Sequence, residues 1–172
     1  MLFYRVKQFF NLMDNIITLK KYAVSYLSKY NSSKSNLIRI LHKKIRKMNL
    51  EKKDKFCLYS SVNTILNELE SKNYINDCSF ANAKIHRFAL EGKSKNFIKN
   101  YLFKKGIDKN LIEESLANFE IDNPNWETES AKIFARKKRL GAKHSNNLEK
   151  DLAKMARAGF NYKIIKEILE IH

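Results

Sequence analysis

The sequence predicts an all-α protein assembled from a repeated helical unit, and three observations lead to that class. Residues 102–116 are echoed by residues 155–169, at an offset of 53 residues. Each copy contains a helix that ends at a glycine, a short polar cap and a second helix with apolar residues at matched positions. One proline and four glycines leave little material for β-turns, and a hydrophobic content of 44% suffices for a core. Two copies of one supersecondary unit indicate a modular, stacked helical protein.

The boundary inside each copy is a glycine followed by a capping residue. Gly106 and Gly159 are predicted to lie just past a helix with positive φ, a conformation that glycine adopts without a Cβ penalty. Asp108 and Asn161 then begin the next helix by accepting a backbone N–H. The two glycines are therefore expected to be equivalent helix C-caps.

The first group of helices is predicted over residues 15–71. Apolar side chains recur at helical spacing over 15–30, and again from Leu37 to Met48 after a serine run that offers N-caps. The charged, apolar-poor segment 49–55 is interpreted as a loop. A third periodic segment follows over 57–71.

The second group is predicted over residues 78–119. Asp77 is positioned to cap its first helix, Gly92 ends that helix, and Ser94 caps the next one. The last helix of the group follows over 109–119. The aromatic side chains of these helices are expected in the core rather than on a surface that stacks nucleic-acid bases: Phe80, Phe88, Phe97, Tyr101 and Phe103.

The clearest boundary in the chain is the turn sequence Asp122-Asn123-Pro124-Asn125. Beyond it Trp126 is expected to pack between repeats, and three more helices are predicted, over 126–139, 146–158 and 162–171. The resulting organisation is an N-terminal arm over 1–14 and three-helix repeats over 15–71, 78–119 and 126–171, the first of them divergent.

Positive charge is the second strong signal. Lys and Arg number 34 against 18 Asp and Glu, which gives a net charge of +16, as in proteins that bind nucleic acid or another anionic surface. The 27 Lys against 7 Arg also suit the composition bias of an AT-rich genome. Against bias alone, residues 1–56 carry 14 basic and 3 acidic groups whereas residues 57–125 carry 9 of each.

The sequence contains no recognisable catalytic or metal-binding pattern. Gly92-Lys93-Ser94 is similar to the end of a phosphate-binding loop, but Arg87 stands where that motif needs a glycine. Cys57 and Cys78 lie far apart, which favours a reduced, cytoplasmic protein without a zinc site. No cofactor, metal or enzymatic activity is expected, and no stretch has the roughly 20 apolar residues of a transmembrane helix.

The chain resembles the RecX family, bacterial regulators of the RecA recombinase, over roughly residues 20–171. The turn Tyr74 to Asp77 followed by Phe80-Ala81 is similar to the family's signature turn. Further matches are the segment Ala23 to Leu27 with Ser33 and Leu37, then Gly92-Lys93-Ser94, Lys105-Gly106-Ile107, and Arg157 with Gly159-Phe160-Asn161-Tyr162. The chain departs from the pattern at Cys78, Ser79 and Ala158, which puts particular charged contacts in doubt but not the fold.

The resemblance implies an elongated, curved array of three three-helix repeats. It also implies a non-enzymatic, monomeric regulator that binds the RecA filament on DNA and restrains it in recombination and repair. The densest basic run ends a helix, where the helix dipole accounts for one or two of its four charges. Candidates for contact with RecA or DNA are Lys93, Lys95, Lys104, Lys105, Arg136, Lys137, Lys138, Arg139 and Arg157.

Two other functions remain open from the sequence. One is an autonomous, basic helical protein that binds nucleic acid without RecA. The other is a scaffold that uses its repeats for protein partners, its charge reflecting only genomic composition. Affinity that collapses with salt and needs no RecA would favour the first of these.

Overall fold

Helices make up the described part of the chain, which comprises residues 2–141 and 147–170 of the computed structural model; no strand occurs within these ranges. The predicted all-α class is confirmed. In chain order the helices are α1 (Leu2–Leu27), α2 (Lys34–Lys47), α3 (Lys52–Ser71), α4 (Asp77–Leu90), α5 (Lys95–Lys104), α6 (Lys109–Asp122), α7 (Trp126–Lys138), α8 (Leu148–Arg157) and α9 (Tyr162–Leu169).

The predicted caps are confirmed at four helix starts. Ser33 accepts the Asn36 N–H in front of α2, and Ser94 accepts the Phe97 N–H at 3.1 Å in front of α5. Asp108 and Asn161 play the same role for α6 and α9. Each cap satisfies an N–H that has no partner within the helix.

The two glycines of the recurring pattern have the predicted conformation. Gly106 follows α5 with φ 76°, and Gly159 follows α8 with φ 89°. Their N–H groups donate to Phe103 and Ala156 respectively, three residues back in each helix. The division into three repeats stays a prediction, and the helix order is compatible with it.

Several boundaries differ from the prediction. α1 begins at Leu2 and so includes residues 2–14, while Tyr30 lies beyond its end. The loop predicted over 49–55 is wrong for its last four residues, because α3 already begins at Lys52. The first turn of α3 is charged and therefore carries no apolar period, although Asp54 there suits the positive end of the helix dipole. Residues 146 and 171, which were predicted to be helical, lie outside the described ranges.

Asp77 does not cap its own helix as predicted. The cap of α4 is Asn76, whose side-chain oxygen accepts the Ser79 N–H. The carboxylate of Asp77 instead accepts the Lys34 N–H at the start of α2, at 2.8 Å. It is half-buried, and burial raises the pKa of its carboxyl group. The side chain therefore joins α4 to the start of a helix 43 residues earlier.

Glu127 in α7 makes a contact equivalent to that of Asp77. It accepts the Lys95 N–H at the start of α5 at 2.9 Å, and burial raises the pKa of its carboxyl group. α2 and α5 thus each begin at a serine cap and at a carboxylate from a later helix. Both acceptors satisfy N–H groups that the helix itself leaves without partners.

The chain divides into two compact units, of which the first ends at Phe80 and the second begins at Ala81. In the first unit, α1, α2 and α3 surround one apolar core, as the helical periods predicted. Its most buried side chains are Leu19, Ala23, Leu37, Leu41, Ile45, Leu58, Val62, Ile65, Leu66, Leu69 and Ile75.

In the second unit, α7 packs on the turn between α4 and α5. Ser130 donates a hydrogen bond to the Lys93 carbonyl at 2.8 Å. A Cβ at Gly92 would lie 3.0 Å from the Phe134 backbone nitrogen, so this approach requires glycine. Trp126 is buried and contacts the Phe119 ring of α6 edge-on, with centroids 5.5 Å apart.

The carboxyl group of Glu127 predicts a pH effect on stability. The pKa of this carboxyl group is raised in the folded state. Its contribution to the free energy of unfolding is therefore fully present below the ordinary pKa of 4.5 and is lost as pH rises through the folded pKa. Glu127→Gln keeps an acceptor for the Lys95 N–H without a charge. We expect the free energy of unfolding of this variant, relative to the parent, to rise between about pH 4 and pH 7 in urea titrations. A difference independent of pH would contradict this account.

Candidate binding surface

The N-terminus of α5 is attached to the turn between α8 and α9. The Ser94 hydroxyl donates to the Ala158 carbonyl at 2.7 Å, and the Asn96 side-chain amide donates to the Gly159 carbonyl at 3.1 Å. A Cβ on Gly159 would lie 2.8 Å from the Ser94 oxygen, too close for any side chain. Glycine at this position therefore allows α5 and the turn to meet.

A cleft of about 270 Å³ opens beside this contact, and we refer to it as the α5 cleft. One wall is a face of α5 and the other is the end of α8 with its following turn. Its lining combines amides, aromatic rings and two basic side chains: Asn96, Phe97, Asn100, Tyr101, Lys104, Arg157, Ala158 and Gly159.

Two lysines lie over the two rings of the α5 cleft. The Lys93 ammonium is 4.9 Å from the Phe97 ring centroid, and the Lys105 ammonium is 5.5 Å from the Tyr101 centroid. The two rings are four positions apart and share one face of α5, while Lys93 lies just before the helix and Lys105 is its C-cap. Both rings also contact Phe88 of α4 edge-on, which holds them in position.

The expectation that these aromatic residues belong to the core is wrong for two of them. Phe80 and Phe88 are buried, but Phe97 is 38% exposed and Phe103 is 68% exposed. Tyr101 is half-buried. α5 is short, and its buried side chains are Ile98 and Leu102. Its aromatic side chains therefore lie wholly or partly outside the core.

The basic run at the end of α7 is exposed along its whole length, Arg136 to Arg139. Within it, the Lys137 ammonium donates to the Glu91 carbonyl oxygen at 3.1 Å. The hydrogen bond from Arg87 lowers the pKa of the Glu91 carboxyl group, and the charges of Lys93 and Lys137 lower it further. Glu91 thus links the end of α7 electrostatically to Lys93 at the α5 cleft.

Arg139 holds a conformation that favours glycine, with φ 52° and ψ 52° at the end of α7. A residue with a Cβ in this left-handed region costs about 1 kcal/mol relative to glycine. Glu170 adopts a similar conformation at the end of α9, so this backbone geometry is a feature of the helix ends.

The nine basic residues predicted as contacts fall into three groups. Lys104 and Arg157 line the α5 cleft, and Lys93 and Lys105 flank it. The run from Arg136 to Arg139 lies at the end of α7, and Glu91 interacts with Lys137 of this run and with Lys93. Lys95 is separate, because its ammonium forms a two-oxygen ion pair with Glu120 of α6 at 2.7 and 2.9 Å.

Two further basic residues were missed in the sequence. Lys84 and Arg87 lie one turn apart on α4, and the charges of Arg87 and Lys105, after burial, lower the pKa of Lys84. Lys84 and Arg87 thus add two basic groups of α4 whose charges act together with that of Lys105. Helical spacing was the signal in the sequence, since Lys84 and Arg87 are three positions apart and share a face of α4.

Within the described ranges, no group of three or more His, Cys, Asp or Glu side chains could hold a metal ion. In the same part of the chain no helix has both the length and the apolar character needed to cross a membrane. Fold and surface together define an all-helical protein whose second unit exposes basic side chains and aromatic rings.

Comparison with known proteins gives the family. No family model matches the chain. The regulatory protein RecX of Myxococcus xanthus (strain DK1622) is 29% identical over 159 residues, which cover 88% of this chain and 84% of the relative. The regulatory protein RecX of Clostridium botulinum (strain Eklund 17B / Type B) is 31% identical over 132 residues, or 72% of this chain, and the match spans only 57% of that relative.

Solved structures share the fold. The crystal structure of RecX from Lactobacillus salivarius superposes with a TM-score of 0.67 at 24% identity, covering 92% of this chain and 96% of that one. A second RecX crystal structure gives a TM-score of 0.66 at 20% identity, with coverage of 94% and 74%. The chain belongs to the RecX family of regulatory proteins.

Proposed function

We propose that this protein is a non-enzymatic regulator that binds the RecA recombinase filament on DNA and inhibits RecA activity in recombination and repair. The observation that carries the proposal is the clustered basic surface of the second unit in a member of the RecX family. It acts as a monomer in the cytoplasm, needs no cofactor, and is expected to have no ATPase, nuclease or protease activity of its own.

The physical basis of the proposal is charge complementarity. A RecA filament on single-stranded DNA presents phosphates along a groove, and each phosphate neutralised by Lys or Arg releases counterions. Arg87 forms an ion pair with Glu91, and the charges of Lys93 and Lys137 act on the same carboxylate, so the one acidic group between these cations is already neutralised. Such a surface has little repulsion to overcome as it approaches DNA.

The decisive experiment is capture of RecA on the immobilised full-length chain. Four arms are compared: RecA alone, RecA with ATP, RecA with single-stranded DNA, and RecA with both. The proposal predicts strong retention of RecA only when DNA and ATP are both present. Absence of RecA in every arm would overturn it.

A second candidate function is autonomous binding of nucleic acid, and the net charge of +16 favours it. The first unit contributes to that charge, with the Lys44 ammonium 5.2 Å from the Tyr22 ring centroid on its surface. This function predicts that the chain retains single-stranded DNA equally well with and without RecA, and that the retention falls steeply with salt.

A further inference from the structure

We propose that the α5 cleft is a site for one nucleotide of a single DNA strand, with the base against Phe97 or Tyr101 and its phosphate held by Lys104 and Arg157. The inference rests on the proposed function in one respect, that the protein meets single-stranded DNA. It goes beyond that function by assigning the strand to a defined cleft and the recognition to defined groups.

Basic groups and aromatic rings lie together along α5. Phe97 and Tyr101 are one turn apart on one face of the helix, and Lys93, just before the helix, and Lys105, at its C-cap, each lie over one of these rings. The adjacent face carries Asn96, Asn100 and Lys104, also spaced by one turn. Sites for single strands combine basic groups that follow the backbone with rings that stack bases, and α5 carries both side by side.

The Phe97 ring is partly exposed. Its exposed fraction is 38%, and the ring meets the Phe88 ring in a T-shaped contact. Phe88 therefore fixes the orientation of the ring while part of it stays accessible. A base that stacks there takes the position of the Lys93 ammonium, which remains within reach of the strand's phosphates.

The opposite wall of the cleft offers hydrogen-bond donors for an anion and a base. Arg157 donates one guanidinium hydrogen bond to the Ala153 carbonyl, which orients the group and leaves its remaining donors for an anion. The amide of Asn96 is engaged by the Gly159 carbonyl, whereas Asn100 is exposed at the cleft. A carboxamide can both donate to and accept from the edge of a base.

These features favour nucleic acid over an acidic protein segment. A carboxylate side chain has no flat π-surface, so it would use the two cations but neither ring. The volume of about 270 Å³ suits one base with its phosphate. Only a ligand that has a base as well as a negative charge would contact the rings, the amide and the cations together.

The test measures binding of the full chain to three fluorescent probes by anisotropy: oligothymidylate, an abasic deoxyribose-phosphate polymer of equal length, and polyglutamate. Phe97→Leu keeps an apolar contact with Phe88 but removes the ring. We expect it to weaken oligothymidylate binding by about fivefold or more and to leave the abasic polymer unchanged. The Lys104→Ala, Arg157→Ala double variant should weaken both polymers by about tenfold.

The matched control removes the same two charges elsewhere in the second unit, with Lys99→Ala and Lys132→Ala. Their ammonium groups are held by Glu113 and Glu129, away from the lining of the cleft. The control should lose less than half as much affinity as the cleft variant. Equal losses in the two double variants, an equal effect of Phe97→Leu on both polymers, or preferential loss of polyglutamate would each overturn the nucleotide site.

The RecA capture assay separates this inference from the proposed function. If RecA is captured on DNA by the parent protein while Phe97→Leu has no effect on oligothymidylate, the nucleotide site is wrong and the proposed function stands. If the cleft variants lose oligothymidylate as expected but RecA is never captured, the nucleotide site stands and the proposed function is wrong.

Discussion

Reversal of Arg136, Lys137 and Arg139 to glutamate is expected to weaken association with RecA filaments on single-stranded DNA by about a hundredfold. Each contact of opposite charges at about 4 Å is worth about 1 kcal/mol even in water, and reversal replaces attraction by repulsion. All three side chains are exposed. Filament binding is measured by anisotropy or by the capture assay over a range of salt concentrations, and the loss should shrink as salt rises.

Stability should change far less than binding in this variant. Glutamates at the end of α7 meet the negative pole of the helix dipole, which costs a total of about 1 kcal/mol in the free energy of unfolding. Replacement of the same residues by glutamine avoids most of this cost and should still weaken binding. A collapse of folding in both variants would make the run structural.

A matched control reverses three exposed lysines of the first unit, Lys47, Lys52 and Lys53, which changes the net charge by the same amount. If only the net charge of the protein determines binding, this control should weaken filament binding as much as the α7 variant. We expect a clearly smaller loss, because the proposed contact surface lies in the second unit. Unchanged filament binding in the α7 variant would remove the run from the site.

The second large effect is expected at Gly159. An alanine there must adopt φ 89° and would place its Cβ 2.8 Å from the Ser94 oxygen and 3.2 Å from the Asn96 Cβ. Left-handed strain of about 1–2 kcal/mol and overpacking of about 1–3 kcal/mol together lower the free energy of unfolding by about 2–5 kcal/mol. Urea titration of the full chain measures the loss, and Gly159→Val should lose more.

Gly141 supplies the control for the steric part of this loss. Its φ of 93° is similar, but among the described residues the nearest atom to an added Cβ is a Leu169 methyl group at 3.8 Å, an ordinary contact. Gly141→Ala should therefore show the backbone strain alone. Equal losses at the two glycines would mean that the contact between α5 and the turn after α8 does not restrict position 159.

A double variant locates the clash more closely. Ser94→Ala removes the oxygen nearest to the added Cβ, so the combination of Ser94→Ala with Gly159→Ala should lose less stability than the two single variants added together. Strict additivity would show that the hydroxyl moves aside without cost.

The helices, their caps and the positive-φ glycines were readable from the chain, because each depends on residues within one or two turns. Ser94, for example, lies three residues before the Phe97 N–H that it accepts, so a short stretch of sequence contains both partners of the hydrogen bond. Asp77 shows the limit of such reasoning. It stands where a cap belongs, yet its carboxylate reaches Lys34, and no local pattern contains that contact.

The candidate surface could likewise be predicted from the sequence only in part. The recurring pattern identified Lys104, Lys105 and Arg157 as basic residues at equivalent helix ends, since helix ends and charge are local properties. The neutralisation of Lys95 by Glu120 and the exposure of Phe97 depend on helices far apart in the sequence. Apolar periodicity shows that a helix has a buried face, but only the packing of its neighbours decides where that face ends and which charges find a partner.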